Sequence, residues 1–306
     1  VYSFGLLYTM YIINQIKRIF DTDIYIIMAK SIRLDNKCIK VKEFKMSNMT
    51  CHPTVCMIAK RSSGKSYLVR DILQHTRDIP CGVIISRTEK VNPFYKYFVP
   101  DTYIYHKFEP EILENIILRQ SKLLKRGNNI DVRVFLVMDD CLASKGDWMN
   151  DDHIAELFFN GRHFKITFIL TMQFPLGIKP EFRCNFDYIF LRREKLANNI
   201  KRLYEHYAGM FPSLRTFQMV FNQITDDYGA MVIDNRTDSS DIWDQIYWYK
   251  AKVFDDNELK KVGIGRYVKY HDNHYNKQWD DEDMVVDIMN IGNKAKNDIH
   301  IKIQKV

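Results

Sequence analysis

Three stretches of this 306-residue chain carry side chains whose types and spacing suit phosphate chemistry. The first, TVCMIAKRSSGKSYLVRDIL, reads as a strand, a loop and a helix. Apolar and β-branched residues run from Thr54 to Ile58. The loop Ala59, Lys60, Arg61, Ser62, Ser63, Gly64, Lys65, Ser66 follows, and then Leu68, Val69, Ile72 and Leu73 recur at helical spacing. In that frame the loop's backbone N–H groups wrap around phosphates, and the helix N-terminus adds the positive end of its dipole. Gly64 lets the backbone approach the ligand with no Cβ in the way. Lys65 is expected to reach the β- and γ-phosphates of ATP, and the Ser66 hydroxyl to ligate Mg²⁺. The first position of such loops is usually glycine; here it is Ala59, the mildest replacement.

The second stretch, RVFLVMDD, spans residues 133–140. Five apolar residues from Val134 to Met138 predict a strand buried on both faces. Asp139 and Asp140 stand at its C-terminal end, where ligands bind in open α/β sheets. Two adjacent carboxylates leaving a buried strand are costly unless they meet a cation. Asp139 is therefore expected to hold Mg²⁺ through water, and Asp140 to position or deprotonate an attacking water. The alternative is that one or both simply cap the next segment as turn residues. The spacing of about seventy residues from the loop, enough for a strand and a helix between them, favours the chemical role.

The third stretch begins FNGRHFKITFILTMQF. Ile166–Leu170 predict another buried strand, and Gln173 just past its end is placed to sense a γ-phosphate or the attacking water. Arg162 precedes this strand and Arg183 follows it. Hydrolysis develops charge on the transferred phosphoryl group, and an arginine donated by a neighbouring subunit is one way to stabilise it. Arg162 is the first candidate and Arg183 the second, with an ion-paired or DNA-contacting role as the alternative for each.

These residues need a scaffold, and the rest of the chain describes one. Apolar runs at Thr54–Ile58, Gly82–Ser86, Val134–Met138, Thr167–Leu170, Tyr188–Leu191, Gly229–Ile233 and Ile246–Tyr249 alternate with helical patterns. The helical patterns lie near Lys65–Gln74, Glu111–Lys125, Ile154–Phe159, Ala197–Tyr207 and Leu214–Gln223. That alternation predicts an α/β domain around a mostly parallel sheet flanked by helices. No repeat and no long Gly/Ser/Pro linker divides it.

Composition bounds the rest. The apolar fraction of 46% and charged fraction of 27% suit a globular chain. The formal net charge of +7 permits a polyanionic partner without requiring one. The six cysteines form no CxxC pair, which suits reduced thiols, several of them in buried strands, better than a disulfide framework or a zinc site. His271 and His274 lack the further ligands a metal site needs. Residues 1–28 are rich in Tyr and Ile, but Asn14, Gln15, Lys17 and Arg18 interrupt the run, so no membrane span is expected there. The expected organisation is an N-terminal leader or extension over 1–36, with Met28 as the natural start, a P-loop ATPase domain over 37–254, and a charged tail over 255–306. An amphipathic anchoring helix is the competing reading of the first segment.

Taken in order, AKRSSGKS, the strand ending in two aspartates, NGRH, the strand ending in Gln173, and KPEFRCNFDYIF resemble the genome-packaging ATPases of large nucleo-cytoplasmic DNA viruses. These poxvirus-type proteins are similar to the FtsK/HerA branch of P-loop motors. The likeness runs from about Lys40 to Lys252. It implies a RecA-like (ASCE) P-loop fold and a ring-shaped homo-oligomer. It also implies ATP-driven translocation of double-stranded DNA into a capsid, with capsid or vertex proteins as partners, in the host cytoplasm (the virus factory) or the virion. The same resemblance matches Lys65 and Ser66 to the family's phosphate and metal residues, Asp139 and Asp140 to its acidic pair, and Gln173 to its sensor. For duplex DNA, whose grip rests on phosphate contacts, the basic candidates are Lys122, Lys125, Arg126, Arg192, Arg193, Lys195, Lys201 and Arg202. Two further readings share the P-loop: a nucleotide or nucleoside kinase, and a nucleotide-binding virion component that does not turn over. A strand-separating helicase ranks below packaging, because no further helicase motif is present.

Overall fold

The computed structural model describes residues 29–276, except 35–36, 128–129, 142–147 and 256. The expected leader therefore lies outside the described residues up to position 28, and the end of the expected tail lies outside them from position 277.

Among the described residues, ten strands form a two-stranded hairpin and an eight-stranded, mostly parallel sheet. The hairpin pairs β1 (Ala29–Leu34) with β2 (Lys37–Lys42) antiparallel. The sheet strands are β3 (Thr54–Ile58), β4 (Cys81–Ser86), β5 (Ile104–Tyr105), β6 (Val134–Asp139), β7 (Ile166–Met172), β8 (Tyr188–Arg192), β9 (Ala230–Asp234) and β10 (Ile246–Tyr249). The helices are α1 (Lys65–His75), α2 (Pro110–Arg126), α3 (Asp152–Asn160), α4 (Pro180–Arg183), α5 (Ala197–Tyr207), α6 (Leu214–Ile224), α7 (Ile242–Gln245) and α8 (Gly265–His274). Seven of the eight sheet strands and the five longer helices before residue 225 lie within two residues of the ranges expected from periodicity.

The chain divides into two compact units. One comprises the residues up to Leu68 together with Met172–Lys252. Its sheet strands run in the order β10-β9-β8-β3. β3 is parallel to β8, with Ile58 opposite Leu191, whereas β9 is antiparallel to both β8 and β10. Every residue of β3 and β8 is buried, which is why both read as continuous apolar runs rather than alternating ones. Helix α6 begins at Ser213, whose hydroxyl accepts from the Thr216 N–H at 3.1 Å and so caps the first turn. The β1–β2 hairpin belongs to this unit as well: Gln223 of α6 accepts from the Arg33 N–H at 2.8 Å and donates to its carbonyl at 2.8 Å.

The other unit comprises Val69–Thr171 and the residues from Val253 onward. Its strands run β7-β6-β4-β5, all parallel. Helix α2 starts with Pro110 and stops at Gly127 in left-handed conformation (φ +60°), the asymmetry expected of helix ends. Its fully buried Gln120 donates to the carbonyls of Val132 and Phe164, both at 2.7 Å, and so ties the segments that lead into β6 and β7. The region expected as a charged tail contains α8. There Tyr267 is buried, its hydroxyl donating to the Gly82 carbonyl at 2.8 Å and its ring stacked on Tyr103 at 4.0 Å.

The thiols divide. Cys56 and Cys141 are buried, as expected, while Cys38, Cys51 and Cys184 are exposed. Burial pushes the Cys141 thiol up to about 12.

Gly82 faces Phe135 across the β4–β6 pair, and a Cβ at that position would stand 2.2 Å from the phenyl ring. Gly82→Ala is therefore expected to overpack the sheet and cost about 1–3 kcal/mol. A lowered thermal unfolding midpoint would show this; an unchanged midpoint would contradict the packing described.

Candidate nucleotide-binding site

The loop expected to cradle phosphates leaves β3 at Ile58 and enters α1 at Lys65. Two residues take left-handed backbone conformations, Ser62 at φ +57° and Gly64 at φ +85°. Such alternation turns successive N–H groups toward one side of a loop, making an anion-binding concavity. The Ser63 hydroxyl donates to the Lys60 carbonyl at 2.6 Å and closes the turn. Lys60, Arg61 and Ser62 are exposed, Ser63, Gly64 and Ser66 are half-buried, and Ala59 and Lys65 are buried. The Ala59 N–H donates to the Met172 carbonyl at 2.9 Å. Gln173 is thus one residue from a direct hydrogen bond to the start of the loop, and it is half-buried.

When N–H groups point inward, carbonyls point away and need partners of their own. Arg192 supplies one. It ends β8 one residue beyond Leu191, which pairs with Ile58, so it stands level with Ala59 where the loop begins. Its Nε donates to the Ser63 carbonyl at 2.8 Å, Nη2 donates to the same oxygen, and Nη1 donates to the Tyr228 carbonyl. Arg192 is only 4% exposed, and burial pulls its pKa down. The backbone angle of Gly64 favours glycine there, and a Cβ would stand 2.8 Å from Nη2, so the guanidinium would have to shift to admit one. This corrects the expectation from sequence: Arg192 was grouped with the DNA-facing basic residues, yet it is buried and braces the loop. Two others in that group are also engaged, Arg193 with Asp226 at 2.9 Å and Lys201 with Glu205 at 3.7 Å.

The acidic pair lies in the other unit, at the C-terminal end of β6. Asp139 is opposite Ser86 on β4 and Thr171 on β7, and is 3% exposed. Its Oδ1 accepts from the Thr171 hydroxyl at 2.5 Å and its Oδ2 from the Tyr95 hydroxyl at 2.9 Å. Thr171 Oγ1 in turn accepts from the Asp140 N–H at 3.1 Å. Asp140 is half-buried and left-handed (φ +57°), a conformation aspartate tolerates better than most residues. One hydroxyl thus fixes both aspartates: it orients the first carboxylate and holds the backbone of the second where the chain turns out of the sheet. The signal that Thr171 leaves in the sequence is a hydroxyl residue near the end of an apolar strand. Tyr95, in a short 3-10 turn at Tyr95–Tyr97, carried no such signal.

Arg162 stands apart from the acidic pair. It is exposed, between α3 and β7, at the end of β7 opposite Thr171. From Ile166 to Thr171 the strand covers about 17 Å, beyond the reach of an arginine side chain. Arg183 is engaged locally: Nε and Nη2 donate to the Ile178 carbonyl at 3.2 and 2.8 Å, and Nη1 contacts His206 Nδ1 at 3.0 Å. His271 meets Thr102 Oγ1 at 2.6 Å through Nδ1, and among the described residues no cluster of three or more His, Cys, Asp or Glu could hold a metal.

Protein relatives come from large DNA viruses. Protein L437 of Acanthamoeba polyphaga mimivirus is 41% identical over 276 residues, covering 86% of this chain and 95% of its own. Protein 075L of Invertebrate iridescent virus 6 is 33% identical over 231 residues, covering 74% of this chain and 87% of its own. The chain belongs to this family of large-DNA-virus proteins. No protein-family model matches it. Among solved structures, the genome-packaging NTPase B204 of Sulfolobus turreted icosahedral virus 2, in complex with ATP-γ-S, superposes with a TM-score of 0.50. That match has 17% identity and covers 67% of this chain and 100% of B204. The chain thus shares the α/β fold of a viral genome-packaging NTPase, in keeping with the resemblance drawn from its motifs.

Thr171→Val removes the hydroxyl that Asp139 and the Asp140 N–H share, at almost constant volume. The loss is expected to be about 1–3 kcal/mol, the cost of leaving buried polar groups unpaired. Chemical denaturation reads it directly, and a variant as stable as the parent would contradict this role.

Proposed function

We propose that this chain is an ATP hydrolase that drives double-stranded DNA into a viral capsid. The observation that carries the reading is the strand–loop–helix at Thr54–His75, with its left-handed Ser62 and Gly64, in a fold shared with a packaging NTPase solved with a nucleotide analogue. In this reading Ala59–Ser66 take the phosphates through backbone N–H groups, and Lys65 neutralises the β- and γ-phosphates. Ser66 offers a hydroxyl and Asp139, through water, a buried carboxylate, each a hard oxygen donor of the kind Mg²⁺ takes. The metal would supply charge neutralisation on the transferred phosphoryl group. Asp140 positions or deprotonates the attacking water, and Gln173 senses the γ-phosphate.

Arg162 acts in trans. Its exposure, and its distance along β7 from Asp139 within its own chain, support donation to a neighbouring subunit and therefore a homo-oligomeric ring. DNA binding draws on exposed members of the basic set, Lys122, Lys125, Arg126 and Lys195. The remaining partners in this reading are capsid or vertex proteins, and the place of action is the virus factory or the virion. Among the described residues no helix is long and apolar enough to cross a membrane.

Phosphate release from ATP, with and without long duplex DNA, tests the proposal. Turnover is expected to rise with duplex DNA and to fall by roughly a hundredfold or more in Asp140→Asn. ATP binding without turnover under any DNA condition would favour a non-hydrolysing virion component. Turnover that ignores DNA and requires a nucleoside acceptor would make the protein a kinase.

A further inference from the structure

The turn that feeds β9 opens at the same edge of its unit as the phosphate loop. β3 runs parallel to β8, and β8 runs antiparallel to β9, with Arg192 opposite Ala230. The residues just before Ala230 therefore lie beside the end of β8, where Arg192 meets the loop. The turn is held from several sides. Arg193 Nη1 is 2.9 Å from Asp226, Lys250 Nζ is 2.7 Å from Asp227, and the Gly229 N–H donates to the Asp226 carbonyl at 2.9 Å. Arg192 then joins the turn to the phosphate loop, because the same guanidinium donates to the Tyr228 and Ser63 carbonyls. With a normal hydrogen bond on each side, those two oxygens lie within about 7 Å of each other.

At the tip, two consecutive non-glycine residues are left-handed, Asp227 at φ +48° and Tyr228 at φ +56°. Asparagine or glycine would suit such a turn better than tyrosine. Tyr228 nevertheless occupies it, and the residue is 68% exposed. The fold gains little burial from this ring, yet it fixes the ring's backbone with a buried cation. Strained backbone of this kind, over-determined by its surroundings, clusters at ligand clamps.

We propose that Tyr228 is the base-facing residue of the nucleotide site: its ring stacks on the nucleobase while Arg192 holds its turn in register with the phosphate loop. This rests on the nucleotide-binding reading above and deepens it. Stacking uses the π-face that every base presents, so Tyr228 contributes affinity for a nucleotide over bare polyphosphate and little choice between adenine and guanine.

The experiment compares ATP with inorganic tripolyphosphate, which has the phosphates and no base, by calorimetric titration of the full chain. Tyr228→Ala is expected to bind ATP roughly tenfold more weakly, the usual scale for a lost base–aromatic stack, while its affinity for tripolyphosphate stays within about twofold of the parent. Tyr228→Phe keeps the stack and should match the parent. Tyr228→Asn favours the left-handed backbone, so it should show the same selective loss and serves if the alanine variant does not fold. An unchanged ATP affinity in Tyr228→Ala and Tyr228→Asn overturns the proposal, and so does an equal loss for both ligands, which would mean that the loop itself had been disturbed. A parent protein that binds neither ligand contradicts the nucleotide-binding reading and removes this inference with it.

Discussion

A loop with left-handed residues at Ser62 and Gly64 leaves a carbonyl that needs a partner, and here a buried guanidinium supplies it. Arg192 accounts for the Ser63 oxygen with two donors and reaches Tyr228 with a third. Much of the first unit follows from that placement. β8 must lie beside β3 in parallel register for its last residue to meet the loop. Gly64 takes a left-handed backbone conformation beside the guanidinium, which a side chain there would displace. The β9 turn must come close enough for one side chain to hold both segments. A cation here also sits well for a polyanionic ligand, since burial strengthens its field at short range.

The acidic unit meets a different constraint. A carboxylate at the end of a fully buried strand loses its water and must recover hydrogen bonds from the protein. From sequence a cation was the expected remedy for Asp139. The structure shows that two neutral hydroxyls, from Thr171 and Tyr95, already serve both of its oxygens. Thr171 also anchors the backbone of Asp140, which makes one side chain responsible for the geometry of the pair.

The legible parts of the fold were those where burial leaves a strong pattern. Strands β3, β6, β7 and β8 are covered on both faces and read as unbroken apolar runs, and α5 shows its apolar stripe so clearly that its boundaries matched. The β1–β2 hairpin escaped because KCIKVK is largely exposed and has no apolar face of any length. β5 is two residues long, too short for any periodicity. Helix α8 is polar almost all round and is fixed chiefly through Tyr267, so it looked like tail. The places of the loop and of the paired aspartates were legible because each stands at the end of an unbroken apolar run. Arg192 and Tyr95 were not: a basic residue at a strand end reads as solvated surface, and a tyrosine in an irregular segment reads as packing. Only the register of β3 with β8, and the folding of the 95–97 turn over the end of β6, give those side chains their roles.

The central claim is that Ala59–Ser66 form a preset cradle for the phosphates of ATP. Calorimetric titration with Mg²⁺-ATP, on the parent protein and on Lys65→Ala, tests this most directly. Saturable binding by the parent that is lost in the variant is the result predicted. A parent that shows no binding heat and no competition with a labelled ATP analogue, or a Lys65→Ala variant that binds as the parent does, would contradict it.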